Sequence, residues 1–260
     1  MRADSYLTEH GFSPSRERAK KMIAAGGVLV DGRLIKKPSE EILDGEHCVV
    51  VSNVEKYVGR GGYKLEGALS AFAIDVTGLC ALDIGASTGG FTDCLLEHGA
   101  DSVIAVDAGE GQLAAKLRED PRVKNFEHMN ARNLSLADIG GKAVDLIVMD
   151  VSFISATYII PRFSSLLTEQ GEAVCLIKPQ FEVGRAMLGK GGIVKDAAAH
   201  RFAIERVLQS GLECGLTPIA LIPSPIFGGD GNREFLVHFK KNAGEARVVD
   251  ATCIRRVTGG

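Results

Sequence analysis

The sequence lacks the long apolar runs of membrane and exported proteins. No stretch approaches the ~18 consecutive apolar residues of a membrane-spanning helix, and the opening segment MRADSYLTEHGF has no apolar core of the kind that a signal peptide requires. We therefore expect a cytoplasmic protein that has no membrane partner. The 260 residues, of which 45% are hydrophobic, predict a globular chain with one sizeable core and a small additional module.

Close cysteine pairs are also absent. The six cysteines are scattered, and none of their spacings indicates a zinc site or a disulfide framework. Most of them are expected to be buried thiols, and the sequence predicts no metal site.

Net charge is small, at −3, but it is unevenly distributed. Residues 1–38 contain eight Lys and Arg against four Asp and Glu, or +4, while the other 222 residues contain 22 against 29, or −7. A basic segment ahead of an acidic one suggests contact with a polyanion. A solvated basic surface is the alternative, and charge alone does not decide between the two.

The basic segment has a helix–helix–hairpin pattern. RADSYLTEHGF and SPSRERAKKMIAAGG predict two short helices, the second beginning at Ser13 or Ser15 beside Pro14. Residues four apart share a helical face, which gives the second helix a basic flank. VLVDGRLIKKP then predicts a β-hairpin around Asp31-Gly32.

The first 50 residues or so resemble the S4 RNA-binding domain. The resemblance rests on R-x-D-x-Y-L, on Ser15-Arg16, and on M-I-x-x-G-x-V-x-V-D-G from Met22 to Gly32. It implies that the second helix and the hairpin contact RNA backbone, which would provide affinity without reading bases. A basic structural cap is the alternative. The candidate RNA-binding residues are Arg16, Arg18, Lys20, Lys21, Arg33 and Lys36.

The rest of the chain predicts a second domain over residues 61–242, after an S4-type domain over 1–51 and a linker over 52–60. The apolar strands CALDIG, SVIAVDA, VDLIVMDV and AVCLIKP alternate with the helical stretches TDCLLEHGA, GQLAAKLRE and YIIPRFSSLLTEQ. This alternation predicts an α/β fold with a Rossmann-like, doubly wound parallel sheet. LTPIALIPSPI and NREFLVHFKK predict an antiparallel element at one edge, and residues 243–260 are left unassigned.

The stretch LDIGASTGGFTD occupies the first strand-to-helix turn, where sheets of this kind bind nucleotide cofactors. Ser87 stands where the dinucleotide fingerprint has a glycine that lets a pyrophosphate approach the backbone. Asp83 would repel a diphosphate but can accept from the ammonium group of a methionine moiety. Asp107 ends the next strand, where it can accept from two ribose hydroxyls. The pattern favours S-adenosyl-L-methionine over a dinucleotide, and a tight turn without a ligand is the third possibility.

Several residues around this turn are candidate cofactor contacts, each with a structural alternative. Asp83 can be a capping residue, Phe91 can be ordinary core, and Asn130 can be a turn asparagine instead of a partner for the adenine edge. The candidate cofactor-binding residues are Asp83, Gly85, Ser87, Thr88, Gly89, Phe91, Asp107 and Asn130.

Four further residues stand at element boundaries: Lys64, Asp150, Lys178 and Glu234. Asp150 and Lys178 end apolar strands, where side chains emerge at the carboxyl edge of the sheet. Taken singly, each can be a snorkelling lysine, a strand-end aspartate or part of a surface ion pair. Together, and in this order, they resemble the K-D-K-E tetrad of the FtsJ-type ribose methyltransferases.

With an S4 domain in front, the resemblance narrows to the TlyA-type family, whose members are named haemolysins but act as ribosomal-RNA 2′-O-methyltransferases. KPQFEVGR, GKGGIVKD and SPIFGGDGNREF are also similar to that family. The resemblance weakens after Asn242, and EKYVGRGG departs from the aromatic and basic linker of some members. It implies methyl transfer from S-adenosyl-L-methionine to ribosomal RNA, on cytidine, in free RNA or in ribosomal subunits.

Methylation of a ribose hydroxyl requires that a very weak acid be aligned with the methyl carbon and deprotonated. We interpret Lys178 as the base, Lys64 and Glu234 as orienting partners, and Asp150 as a bridge between the tetrad and the donor. Burial beside a second cation favours a neutral amine, whereas the two carboxylates oppose it. The alternatives are a non-catalytic RNA-binding protein and a pore-forming haemolysin. Nothing in the sequence marks an oligomeric interface.

Overall fold

A computed structural model of the chain describes residues 1–24, 27–43, 45, 47, 49–51, 56–244 and 248–259. The chain divides into two compact units, Met1–Lys56 and Tyr57–Gly260. The second unit therefore begins at Tyr57, inside the segment 52–60 that we interpreted as a linker. Tyr57 belongs to the second unit because its side chain, which is only 1% exposed, packs in a core cluster of that unit.

The first unit combines two helices with a three-stranded antiparallel sheet. The Ser15 hydroxyl accepts a hydrogen bond from the backbone N–H of Arg18 at 3.2 Å, so Ser15 caps the second helix. Asp31 and Gly32 have φ values of +52° and +77°, as a tight primed hairpin turn requires. The strand order is β2-β1-β3. The elements are α1 (Ala3–Glu9), α2 (Arg16–Ala24), β1 (Val28–Val30), β2 (Arg33–Leu34) and β3 (Val49–Val51).

The second unit is built on a seven-stranded sheet in the order β6-β5-β4-β7-β8-β10-β9. Strands β4 to β8 pair in parallel, whereas β10 is antiparallel to both of its neighbours. The predicted parallel sheet with an antiparallel element at one edge is confirmed. The strands are β4 (Cys80–Ile84), β5 (Ser102–Val106), β6 (Val123–Phe126), β7 (Val144–Met149), β8 (Leu167–Ile177), β9 (Leu216–Pro223) and β10 (Phe235–Lys241).

Helices cover both faces of this sheet. One core cluster contains Leu65, Leu95 and Leu117, which belong to the helices Gly61–Phe72, Gly90–Glu97 and Ala115–Arg118. Another contains Ile204 and Ile254, which belong to the helices Ala197–Glu213 and Ala251–Thr258. The sheet is therefore doubly wound, as predicted. The helices are α3 (Gly61–Phe72), α4 (Gly90–Glu97), α5 (Ala115–Arg118), α6 (Phe163–Leu166), α7 (Pro179–Glu182), α8 (Ala197–Glu213) and α9 (Ala251–Thr258).

Two predicted helices are much shorter in the structure. GQLAAKLRE is helical only over Ala115–Arg118, because Ala114 is extended, with a ψ of 142°. YIIPRFSSLLTEQ forms short turns and α6, and its last residues already belong to β8, where Leu167 pairs with Val144. Sheet pairing overrides the helical pattern there.

The unassigned residues near the end of the chain contain α9. Asp250 caps this helix by accepting from the backbone N–H of Cys253 at 2.7 Å, and the side chains of Ile254 and Val257 are buried against the sheet cluster. This helix therefore extends the second unit beyond residue 242.

Candidate active site

The glycine-rich loop lies between β4 and α4, and its glycines are required by neighbouring protein atoms. Gly85 has a φ of +85°, and a Cβ there would lie 2.6 Å from the backbone oxygen of Asp150. Gly89 has a φ of +96°, and its Cβ would lie 2.2 Å from the Leu117 side chain. The loop thus brings the ends of β4 and β7 together at the carboxyl edge of the sheet.

Asp107 anchors this loop to the end of β5. Its Oδ2 accepts from the backbone N–H of Ser87 at 2.8 Å, and its Oδ1 accepts from that of Gly109 at 2.7 Å. Each carboxylate oxygen can accept a second hydrogen bond, so both remain available to hydroxyl donors. Ser87 also donates through its hydroxyl to Gln112 at 3.1 Å, a contact that the sequence pattern did not indicate.

Two adjoining cavities open at this edge. The larger, of about 380 Å³, has Asp107 and Asn130 among its polar lining and Met129, Ile154 and Ile159 among its apolar lining. Asn130 also caps a short turn, since its Oδ1 accepts from the backbone N–H of Arg132 at 3.1 Å. The interpretation of Asn130 as a turn asparagine is therefore confirmed, and its place in the cavity wall leaves a contact with the adenine edge as a prediction.

The smaller cavity, of about 190 Å³, is mainly polar and reaches Lys178. Gly61, Thr88 and Phe91 contribute to its wall, although the Phe91 side chain is only 3% exposed and also packs in the core. The two cavities share four lining residues: Gly85, Ser87, Asp150 and Ser152.

Asp83 lies on β4 and is fully buried. Its Oδ2 accepts from the Thr92 hydroxyl at 2.7 Å, and its Oδ1 has no hydrogen-bond partner in the part of the chain that the structure describes. Burial raises the pKa of this carboxyl to about 7, and the nearby Asp150 carboxylate acts in the same direction. Sequence reasoning missed Thr92, whose only signal is its place in the first turn of α4.

The structure brings the four tetrad candidates together. Lys178 Nζ lies 2.6 Å from Asp150 Oδ1, Lys64 Nζ lies 3.8 Å from Asp150 Oδ2, and Lys64 Nζ lies 2.6 Å from Glu234 Oε2. The ends of β7 and β8, the first turn of α3 and the start of β10 supply them.

Burial differs along this chain of charges. The side chains of Glu234 and Lys64 are 2% and 8% exposed, whereas those of Lys178 and Asp150 are 11% and 19% exposed. Burial raises the pKa of Glu234, and the Lys64 ammonium opposes that rise. Lys64 is therefore enclosed between two carboxylates, while Lys178 is the lysine that lines the smaller cavity.

Ser152 is a site residue that sequence reasoning missed. Lys178 Nζ donates to its hydroxyl oxygen at 2.7 Å. The signal was its place two residues after Asp150, in the turn that leaves a strand at the carboxyl edge. The next residue, Phe153, has a φ of +65° and is 92% exposed.

The basic residues of the first unit are largely exposed, and several of them are paired with acids. Arg16 Nη2 lies 3.0 Å from Asp4 Oδ2, and Lys20 Nζ lies 2.6 Å from Glu17 Oε1. These pairs depend on side-chain geometry that the sequence pattern did not show. Arg33 pairs with Glu40, while Arg18, Lys21 and Lys36 are also exposed.

Neither a metal site nor a membrane span is found within the described ranges. No group of three or more His, Cys, Asp or Glu side chains in them could hold a metal ion. No helix in them is long and apolar enough to cross a membrane.

Comparison with known proteins agrees with this architecture. Residues 57–241 match the model of the FtsJ-like methyltransferases, and residues 1–48 match that of the S4 domain. A 16S/23S rRNA (cytidine-2′-O)-methyltransferase TlyA of Mycobacterium tuberculosis is 42% identical over 94% of this chain and 91% of its own. Hemolysin A of Brachyspira hyodysenteriae is 43% identical over 92% and 99%, respectively.

A solved structure of a Streptococcus thermophilus protein named as a hemolysin is 40% identical, with a TM-score of 0.75, and the match covers all of this chain and 94% of the other. Fold, site and comparisons together define an S-adenosylmethionine-dependent methyltransferase, as the sequence predicts. The chain belongs to the FtsJ-like methyltransferase family and carries an S4 domain ahead of the catalytic unit.

Proposed function

We propose that the chain transfers the methyl group of S-adenosyl-L-methionine to the ribose 2′-hydroxyl of cytidine in ribosomal RNA. The observation that carries the proposal is the array of Lys178, Asp150, Lys64 and Glu234. Asp150 lines both cavities and Lys178 lines the smaller one. The relatives named as rRNA (cytidine-2′-O)-methyltransferases support the choice of RNA and nucleoside.

The residues present fit this methyl donor. Asp107 keeps acceptor capacity for a ribose diol, and the apolar wall of the larger cavity suits an adenine, with Asn130 at its edge. The buried Asp83 carboxyl, whose Oδ1 has no hydrogen-bond partner among the described residues, suits a cationic ligand and would repel a diphosphate. Asp83 lines neither cavity, so it would act on the bound donor through its electrostatic field and not through direct contact.

Most of the remaining candidates line the smaller cavity. Gly85, Ser87, Thr88 and Phe91 line it and would hold the donor's amino-acid end. Gly89 lines neither cavity and instead admits the Leu117 side chain beneath the loop.

Bound donor would supply an electrophilic methyl group on a sulfonium, which becomes a neutral thioether once the methyl group has left. Lys178, as a neutral amine, would accept the proton of the 2′-hydroxyl as that oxygen becomes bonded to the methyl group. Asp150 holds the Lys178 amine at 2.6 Å and connects it to Lys64, which Glu234 fixes at 2.6 Å. The resulting Lys178 ammonium loses its proton to solvent through the open cavity.

Positioning of the RNA would fall partly to the first unit. Its exposed Arg16, Arg18, Lys21, Arg33 and Lys36, with the half-buried Lys20, offer contacts to phosphates, as an S4 domain suggests. Ribosomal RNA, free or in subunits, is thus the proposed partner, and the cytoplasm the proposed location.

Transfer of a labelled methyl group tests this function. Ribosomal RNA and subunits from cells without the gene are incubated with the protein and tritiated S-adenosyl-L-methionine, and the RNA is digested to nucleosides. We expect label in 2′-O-methylcytidine. Label in a base would refute ribose methylation, and donor binding without any transfer would identify a non-catalytic RNA-binding protein.

A further inference from the structure

Lys178 has two polar neighbours, an ion-pair partner and a hydrogen-bond acceptor, and only the ion-pair partner is charged. Its Nζ lies 2.6 Å from Asp150 Oδ1 and donates at 2.7 Å to the hydroxyl oxygen of Ser152. A neutral amine has two N–H bonds and one lone pair in a tetrahedral arrangement. The hydrogen bond to Ser152 fixes one N–H bond, and the ion-pair contact with Asp150 restricts rotation of the amine, so the direction of the lone pair is limited.

We propose that Ser152 is a positioning residue for Lys178, fixing the direction of the amine lone pair without placing a second negative charge beside it. The inference rests on the proposed role of Lys178 as the base. Ser152 lines both cavities and Lys178 lines the smaller one, so the substrate hydroxyl that meets the lone pair would be bound there.

The chemistry of the hydroxyl explains why serine suits this position. Asp150 already supplies one carboxylate to the Lys178 amine, and a second carboxylate would stabilise the ammonium, which cannot act as a base. A hydroxyl oxygen accepts an N–H bond while carrying no net charge. Ser152 therefore gives direction while stabilising the ammonium less than a second carboxylate would.

The turn that holds Ser152 is strained and braced. Phe153 has a φ of +65°, which is uncommon for a bulky residue, and such strain persists only where the surroundings enforce it. Its ring centroid lies 5.4 Å from that of Phe181, three residues beyond Lys178. The segments that carry Ser152 and Lys178 are thus connected by the hydrogen bond, by the Asp150 ion pair and by this ring contact.

The pH dependence of single-turnover methyl transfer tests the inference, with the intact chain, saturating donor and saturating RNA. In S152A the plateau rate should fall about tenfold, because the orientation of the Lys178 lone pair is no longer fixed. The midpoint of the rise in rate with pH should also move down, because the ammonium loses an acceptor. S152D should move the midpoint up by about one pH unit, and S152T should keep both values.

Ser70→Ala is the matched control, because Ser70 is an exposed residue on α3. It should leave both rate and midpoint unchanged. A loss of rate in S152A without a change in midpoint would indicate a purely structural role and overturn the inference, as would an unchanged rate.

Chemical labelling gives a readout that needs no RNA. The protein is treated with acetic anhydride at pH 8, and acetylation of Lys178 and Lys64 is measured by mass spectrometry. S152A should label faster than wild type at Lys178 and equally at Lys64, S152D should label more slowly at Lys178, and S152T should match wild type. Equal labelling of all four proteins at Lys178 would overturn the inference. If the variants label as expected but the wild type methylates no RNA, only the proposed function is refuted.

Discussion

Three aspartates at the ends of neighbouring strands have different surroundings, and these surroundings separate their roles. Asp107 accepts two backbone N–H bonds from the loops around it, and Asp150 lies between two lysines. Asp83 is buried and accepts a hydrogen bond from the Thr92 hydroxyl. The same residue type thus provides a loop anchor, a bridge between cations and a buried acid.

Asp83 should make the stability of the donor-free protein depend on pH. Burial raises its pKa to about 7, above the value of about 3.9 in an unfolded chain. The folded state therefore retains a proton that the unfolded state releases, so this stability is fully present below about pH 4 and is lost as the pH rises through 7.

Asp83→Asn, which cannot ionise, should accordingly raise the free energy of unfolding at pH 8 by up to about 4 kcal/mol relative to wild type, and change it little at pH 4. Denaturant unfolding at the two pH values measures this. An equal effect at both would show that ionisation of Asp83 is not its cause.

Lys178→Met should abolish methyl transfer and leave the donor affinity within a few-fold of wild type. The substitution removes the proposed base but leaves Asp107 and the larger cavity intact. Single-turnover transfer and calorimetric donor binding measure the two effects. Lys142→Met, at an exposed position before β7, is the control and should be fully active. Near-normal transfer by Lys178→Met would exclude Lys178 as the base.

At the scale of elements, local signals predicted much of the fold. The hairpin at Asp31-Gly32 followed from turn chemistry, and the parallel strands followed from apolar runs of limited length. The helix predicted over YIIPRFSSLLTEQ extended too far, because Leu167 begins β8 and pairs with Val144, a contact between residues distant in sequence. The helix over Ala251–Thr258 was missed because the bounds of the second unit were set by motifs, which end before it.

The site followed from the sequence to the extent that strand ends converge at one edge. Asp150 and Lys178 could be placed in this way, whereas Ser152 could not, since its importance depends on a 2.7 Å contact with Lys178 Nζ. The ion pair between Arg16 and Asp4 was also not apparent, because the two residues belong to different helices.

A charge cluster between β8 and β10 should stabilise the antiparallel edge above acidic pH. Glu172 Oε2 lies 2.8 Å from His238 Nε2, and its Oε1 lies 2.7 Å from Lys240 Nζ. These partners, with His238 first, lower the pKa of Glu172 to about 2. Stability from this group is present above about pH 4.5 and lost as the pH falls towards 2.

Glu172→Gln should therefore destabilise the protein at pH 7 by at most about 3 kcal/mol, and by progressively less as the pH falls below 4.5. Thermal or denaturant unfolding across this range measures the difference. Glu205→Gln, at an exposed position on α8, is the control and should change stability little at any pH. A constant difference between Glu172→Gln and wild type would contradict the assignment.

At the scale of the whole molecule, the charge asymmetry depends on where the chain is divided. Cutting after residue 38 gives +4 and −7, but the structural boundary after Lys56 gives nine basic and nine acidic residues in the first unit, and 21 against 24 in the second. Attraction of the first unit for RNA must therefore come from the placement of its basic side chains, not from its net charge.

Deleting residues 1–56 should leave a second unit that binds the donor but hardly methylates RNA, because its own core and cavities lie within residues 57–260. In the intact chain, neutralising Arg16, Lys20 and Arg33 should flatten the salt dependence of RNA affinity by a log–log slope of about 0.7–0.9 per lost phosphate contact. Lys142→Gln is the control. Full RNA methylation by the shortened chain would reduce the first unit to a structural cap.

The central claim is that this chain methylates a ribose 2′-hydroxyl in ribosomal RNA. The most direct test of this claim is a map of ribose methylation across the ribosomal RNA of cells that have the gene and of cells that lack it. We expect at least one cytidine that is 2′-O-methylated only when the gene is present. Identical methylation maps from the two kinds of cell would contradict it.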